Sequence, residues 1–325
     1  MPAAIAWDLA NEYPASSLPG EGDAEFARRA AAASDGRICI TPRCDAVMGH
    51  CSRAQFDALA RGELVLADSF SGALADVHAL LQLSSLPFLS ADAADARRLF
   101  ELARPHYAAV LRQHQHQLLF ASPWPPTGLW TRQPLADAAS LQGLRLRTYD
   151  RASAAVFAGL GADARSLSFA AAVPQLAAGE LDAVLSSGDG GAGHKLWQYL
   201  PVFNPLGYAV PLSFTSMHLP AWQALDLESQ RLIEDAAAAT QQSQWLRMAG
   251  RVEDNVRRLR AHGASVAAPP DAPFRARLQA AIDGVIGVWL ADAGSTGEAL
   301  LTAYRGAEWV HSRLRSSTSL KTPQP

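Results

Sequence analysis

One stretch restricts the fold more than any other. Residues 227–262 contain no proline and repeat apolar side chains at helical spacing: Leu232, Ile233, Ala236, Ala237, Trp245, Met248, Val252, Val256 and Leu259. Asp226 suits the N-cap, Glu228 the first turn and Gly263 the C-terminal stop. Thr240 and Gln241 interrupt the stripe. A continuous helix of this span would be roughly 54 Å long at about 1.5 Å per residue. That is wider than one small domain, so such a helix can brace two. A kinked pair broken near Gly250 is the alternative. The chain's 325 residues also exceed one typical core and favour two domains of roughly 150 residues.

The rest alternates strand and helix. Strands are predicted at 5–11, 37–41, 64–67, 117–121, 144–147, 181–185 and 208–214. Helices are predicted at 23–34, 56–61, 91–115, 152–160 and 170–178. The alternation argues for α/β layers with mostly parallel pairing. Residues 14–20 read as turns. The proline-rich run 122–128 reads as a crossing between domains. One domain is then expected from 1–126 plus about 208–240, and the other from 127–207 plus about 250–310. The long helix spans both, and 313–325 form a polar, flexible tail.

Composition excludes some functions. The net charge of −3 gives no basic footprint for nucleic acid. No apolar run approaches the roughly 18–20 residues of a membrane span. Residues 1–7 lack a basic start and an apolar core, so the chain is either cytosolic or a mature form without its leader. Cys39, between Ile38 and Ile40, reads as a buried free thiol. Cys44 and Cys51 are either a disulfide or two loop thiols; a zinc site with His50 lacks a fourth ligand.

Arg147 is the leading functional residue. It ends a predicted strand, and strand carboxyl ends are where open α/β sheets bind ligands. Its guanidinium suits a small anion, a carboxylate above all. Tyr13, Phe70, Trp124, Trp130, Phe169 and Tyr208 fall at or near predicted strand ends, where several aromatics together line a pocket. Ser69, Ser186 and Ser187 are candidate polar contacts. Asp8, Glu12 and Asp68 also fall near strand ends. Gly188, Gly190 and Gly193 fit G-x-G-x-x-G, but the acidic residue expected about twenty positions later is absent. A flexible loop at a cleft rim is therefore preferred over a nucleotide site. His114 and His116 lack a third ligand and read as a solvated helix end. No Gly-x-Ser-x-Gly elbow is present.

Several segments resemble the DctP-type periplasmic solute receptors of TRAP transporters. They are Phe26-Ala27-Arg28, Ser34-Asp35-Gly36-Arg37-Ile38, Leu86-Pro87-Phe88-Leu89, Leu141-Gln142-Gly143-Leu144-Arg145-Leu146-Arg147 and Leu176-Ala177-Ala178-Gly179-Glu180-Leu181-Asp182-Ala183. The resemblance implies a two-domain periplasmic-binding-protein-like fold with a ligand cleft between the domains and a long connecting helix. It implies a receptor rather than an enzyme, with no cofactor or metal. It also implies TRAP membrane permease subunits as partners and a periplasmic mature form. The family's carboxylate-clamping arginine falls on Arg147. Ser186 stands where many members carry asparagine. Trp130 stands where sialic-acid receptors carry a second arginine. The implied ligand is thus a monocarboxylate with an apolar or aromatic body, lined by Trp130, Phe169, Phe70, Tyr208 and Tyr13. A receptor for an ABC importer or sensor kinase, and an enzyme using the glycine loop, are the alternatives.

Overall fold

The computed structural model, which describes residues 5–319, resolves the alternating pattern into two sheets. The strands are β1 (Ile5–Asn11), β2 (Ile38–Arg43), β3 (Leu66–Phe70), β4 (His116–Pro123), β5 (Thr127–Thr131), β6 (Arg145–Thr148), β7 (Asp163–Ser166), β8 (Ala183–Ser187), β9 (Val202–Asn204), β10 (Leu212–His218) and β11 (Ser265–Val266). The first sheet has the order β2-β1-β3-β10-β4, and the second β11-β9-β5-β8-β6-β7. Every antiparallel pair involves β5 or β10. These are the two strands entered directly from the other sheet, so each arrives reversed. The remaining pairs are parallel, as expected where helices make the crossovers.

The chain crosses after β4 and returns before β10. The two crossing segments bond to each other: the Trp124 N–H donates to the Pro211 carbonyl at 2.8 Å, and Thr127 N–H to Ala209 at 2.9 Å. The strand predicted at 208–214 therefore begins only at Leu212, because 208–211 belong to this crossing.

Ten α-helices cover the sheets among the described residues: α1 (Leu18–Ala33), α2 (Ser52–Ala60), α3 (Ala93–Gln113), α4 (Arg151–Gly159), α5 (Phe169–Ala177), α6 (Gly188–Gly193), α7 (Leu219–Gln223), α8 (Leu227–Ala261), α9 (Ala272–Arg305) and α10 (Ala307–Ser319). None is long and apolar enough to cross a membrane. α1 starts earlier than predicted. Ser17 caps it by accepting from Gly20 N–H, and Pro19 sits in the first turn, where a missing N–H costs nothing. The expected tail from Arg313 is helical to Ser319; residues 320–325 of that tail, like residues 1–4, lie outside the described residues.

α8 is one helix of 35 residues, unbroken at Gly250. Its polar interruption has a use: Gln241 Oε1 accepts from the Ala121 N–H of β4 at 3.1 Å. Further along, Arg251 donates to Asp189 Oδ1 of α6 at 2.8 Å and to Glu21 Oε1 of α1 at 2.9 Å. Asp189 Oδ2 also accepts from Leu18 N–H at 2.6 Å, so this cluster ties the two lobes together. α9 has no counterpart among the predicted elements. It starts beside α4 of the second lobe and ends beside α3 of the first, with Gly294 (φ 60°) breaking it. Trp289 Nε1 donates to the Ala79 carbonyl at 2.8 Å along the way.

Two smaller expectations fail for the same reason, strand alternation. Cys39 points outward, because Ile38 and Ile40 on either side take the core. His116 is buried at the start of β4 rather than solvated: it stacks on Phe56 at 4.0 Å and bonds to Ser216 Oγ. Cys44 and Cys51 are free thiols in the structure.

Candidate functional site

Two arginines on β6 show how position sets chemistry. Arg145 and Arg147 lie two apart and so share a face. Arg145, exposed at the strand's start, is neutralised by Asp182 through Nε–Oδ2 and Nη2–Oδ1 bonds, both 2.7 Å. Arg147, at the carboxyl end, is 3% exposed and meets no carboxylate within ion-pair distance among the described residues. Its Nε donates to the Leu167 carbonyl at 2.7 Å and its Nη1 to Leu185 at 3.1 Å. Its guanidinium lies over the Phe169 ring, 4.1 Å from the centroid. Two of its five N–H groups are thus spent on backbone, which fixes the plane; the outer edge remains for an anion. Burial pulls its pKa below the ordinary arginine value, and Tyr13 and Glu12 push it back.

Aromatic side chains from both lobes converge on this charge. Tyr13 follows β1, Phe70 ends β3 and Trp124 follows β4; Tyr149 follows β6 and Phe169 opens α5. Tyr13 packs edge-on to Trp124 at 4.7 Å and to Phe169 at 6.2 Å, and Phe70 packs edge-on to Tyr149 at 5.4 Å. Trp124 is held by Nε1 donating to Ser213 Oγ at 3.1 Å. His194 stacks on Phe169 at 4.0 Å; burial and Arg147 push its pKa down to about 4, so it stays neutral at physiological pH.

The convergence lines an interlobe cleft of about 950 Å³, reached by Glu12, Tyr13, Phe70, Arg147, Tyr149 and Asp150 and walled on its outer side by α9. A recess of about 20 Å³ continues inward between Arg147, Phe169, Trp124, Ser186 and Ser187.

Seven of the sequence-predicted contact residues therefore meet, Arg147, Tyr13, Phe70, Trp124, Phe169, Ser186 and Ser187, with Glu12 beside them. Three do not line either space. Trp130 is fully buried behind α6, with Nε1 donating to the Ser187 carbonyl at 3.2 Å. A Cβ on Gly191 would come within 2.2 Å of its ring, so this glycine leaves the room the indole occupies. The run 188–193 is a short buried helix capped by Ser187, not a rim loop. Tyr208 packs instead between Phe88 at 5.6 Å and Phe157 at 5.5 Å. Ser69 is buried on β3, pointing away from the face that Phe70 presents. Tyr149 and Asp150 were not selected from the sequence. The signal was available, since they lie two and three residues after Arg147 at the same strand end. Among the described residues, no three His, Cys, Asp or Glu side chains could hold a metal ion.

The model of the DctP family, bacterial extracellular solute-binding protein family 7, matches residues 9–286. No curated protein matches the chain. Among solved structures, DctP7, a Bordetella pertussis extracytoplasmic solute receptor binding pyroglutamic acid, is 26% identical. It has a TM-score of 0.88 and covers 93% of this chain and 100% of its own. A marine metagenome TRAP solute-binding protein in complex with pyroglutamate is 24% identical, with a TM-score of 0.87 over 93% of this chain and 99% of its own. The sugar-acid-binding DctPAm of Advenella mimigardefordensis, in complex with galactonate, shares the fold at 16% identity, with a TM-score of 0.85 over 97% of this chain and 99% of its own.

Proposed function

This chain belongs to the DctP family of bacterial extracellular solute-binding proteins, whose members are extracytoplasmic receptors and not enzymes, and we propose that it captures a small organic monocarboxylate and delivers it to the membrane subunits of a TRAP transporter. The observation that carries this reading is the buried guanidinium of Arg147 without an acidic partner. A buried charge left unpaired is costly, and a carboxylate reaching its free edge offsets that cost. The aromatic ring of Tyr13, Phe70, Trp124, Tyr149 and Phe169 suits a compact, mostly apolar body rather than a polyhydroxylated one. Ser186 and Ser187 supply short polar contacts at the inner end. Trp130 is buried elsewhere, and of the cleft's other arginines Arg53 is paired with Asp57 and Asp76 and Arg151 is exposed at the start of α4; Arg147 alone among them is buried, which favours one carboxylate over two.

Pyroglutamate binding by the Bordetella pertussis receptor supports a ligand of this size and charge. Contacts from both lobes favour the closed form when the ligand is present. The test is calorimetric titration of pyroglutamate, with orotate, galactonate and succinate in parallel. Saturable binding of the compact monocarboxylate, and weak or no binding of the diacid, is the expected result. Tighter binding of succinate or galactonate than of any compact monocarboxylate would overturn the proposal.

A further inference from the structure

Asp150 follows Arg147 by three residues and begins α4 as its N-cap. One carboxylate oxygen does that work: Oδ1 accepts from Ser153 N–H at 2.7 Å and from Ser153 Oγ at 2.6 Å. N-caps are usually solvated, so the second oxygen finds water. Here the residue is 3% exposed and Oδ2 has no partner at hydrogen-bond distance, although the Gln82 amide acts on the carboxylate as a longer-range donor. Asp150 lines the same cleft as Arg147, Tyr13 and Tyr149. A buried carboxylate oxygen without a donor costs more than a cap requires. A leucine-lined turn with serine at the cap would build the same helix more cheaply. What the extra oxygen adds is an unpaired acceptor in the wall of the cleft that holds the carboxylate anchor.

We infer that Asp150 is a specificity-determining residue that selects, among carboxylates held by Arg147, those whose body presents an N–H or O–H donor. The inference rests on the carboxylate reading above and deepens it. The ligand class is then a carboxylate with a hydrogen-bond donor close to it, such as a lactam or an amine, rather than a plain fatty or keto acid. Arg147 takes the ligand's negative end and Asp150 its donor, so a wrongly oriented ligand loses both contacts. Serine at position 150 would keep the helix but lose this discrimination.

Three near-isosteric probes separate the possibilities by calorimetry: 5-oxopyrrolidine-2-carboxylate with a ring N–H, 5-oxotetrahydrofuran-2-carboxylate with a ring oxygen there, and cyclopentanecarboxylate with neither. The wild-type protein should prefer the lactam over the lactone by at least about tenfold, the scale of one hydrogen bond to a charged acceptor. In Asp150→Asn the amide oxygen keeps the Ser153 cap, which turns the NH₂ toward the cleft. The variant should melt close to wild type and lose or invert the lactam preference. Equal wild-type affinity for lactam and lactone, with both weakened by Arg147→Met, would overturn the donor inference and leave the carboxylate reading standing. A lactam preference that survives in Asp150→Asn would overturn the assignment to this residue. A wild-type preference for the lactone would mean that a protonated Asp150 donates, which overturns the inference also. Binding of none of the three would overturn the carboxylate reading and the inference together.

Discussion

Replacing Arg147 by methionine should separate binding from folding. The substitution keeps much of the side chain's length and removes its charge. In the ligand-bound state it deletes one partner of a buried, hydrogen-bonded charge pair, which costs about 2–5 kcal/mol, or roughly 30- to 5,000-fold in Kd. In the ligand-free state two effects oppose each other. The carbonyls of Leu167 and Leu185 lose their donors, at about 1–3 kcal/mol each. Against this, a 3%-exposed guanidinium with no direct ion pair, though Glu12 and Asp150 act on it through space, no longer has to be desolvated, a relief of several kcal/mol. The net change in ligand-free stability should lie within about 2 kcal/mol of zero, a shift of only a few degrees for a chain of this size. Titration calorimetry reads the first quantity and differential scanning calorimetry without ligand reads the second. Arg147→Lys keeps the charge but not the fork, and should fall between the variant and wild type. A Kd changed less than about fivefold would refute Arg147 as the anchor. Global unfolding of the methionine variant would show that the guanidinium is there to hold Leu167 and Leu185, not a ligand.

Three further outcomes follow from the packing. Arg251→Met leaves Asp189, which is wholly buried, with only the Leu18 N–H for company; opening the lobes relieves that charge, so solution scattering should report a more open ligand-free protein and the carboxylate Kd should rise several-fold. An unchanged scattering profile and Kd would refute the interlobe role. Gly191→Ala drives a methyl to 2.2 Å from the Trp130 ring; overpacking of this kind costs about 1–3 kcal/mol, and Trp130→Phe in the same chain should recover part of it, whereas equal melting temperatures would show that α6 shifts freely. Asp68 and Asp23 are buried together, with the Thr215 hydroxyl at 3.0 Å from Asp68 and 3.4 Å from Asp23; burial first, and for Asp23 also its neighbour's charge, raise both carboxyls above the ordinary aspartate range. The folded state therefore holds protons that the unfolded state releases, and the associated stability is complete below about pH 4 and lost as pH rises through the raised values. Asp68→Asn, a mimic of the protonated form, should raise the melting temperature at pH 8 more than at pH 5; an equal effect at both would sink this account.

Local signals marked some elements and misled on others: Cys39 is exposed and residues 188–193 form a buried helix. α8 was visible because caps, apolar period and absence of proline all act within a few residues of each other. Arg147 was visible because a strand's carboxyl end is marked by its own sequence. The meeting of Tyr13, Phe70 and Phe169 with Arg147 was visible only as a tendency, since all fall near strand ends. Two lobes had to fold before the rings came within 7 Å of one another. α9 was missed because its apolar residues face two lobes in turn and Gly294 interrupts it, so no single stripe runs its length.

Other questions were settled only by contacts between residues far apart in sequence. Nothing around Arg145 and Arg147 says which one is neutralised; Asp182, thirty-seven residues after Arg145, decides it by lying beside the strand's first turn and not its last. Trp130 carried the same aromatic promise as Trp124, yet one seats itself on Gly191 and the other bonds to Ser213 and lines the recess. The primary sequence thus determined the layers, the bracing helix and the arginine at the strand end, because those depend on periodicity and near neighbours. The tertiary structure alone decided which arginine stays unpaired and which aromatics face it, because burial and partner choice depend on what the rest of the chain brings alongside.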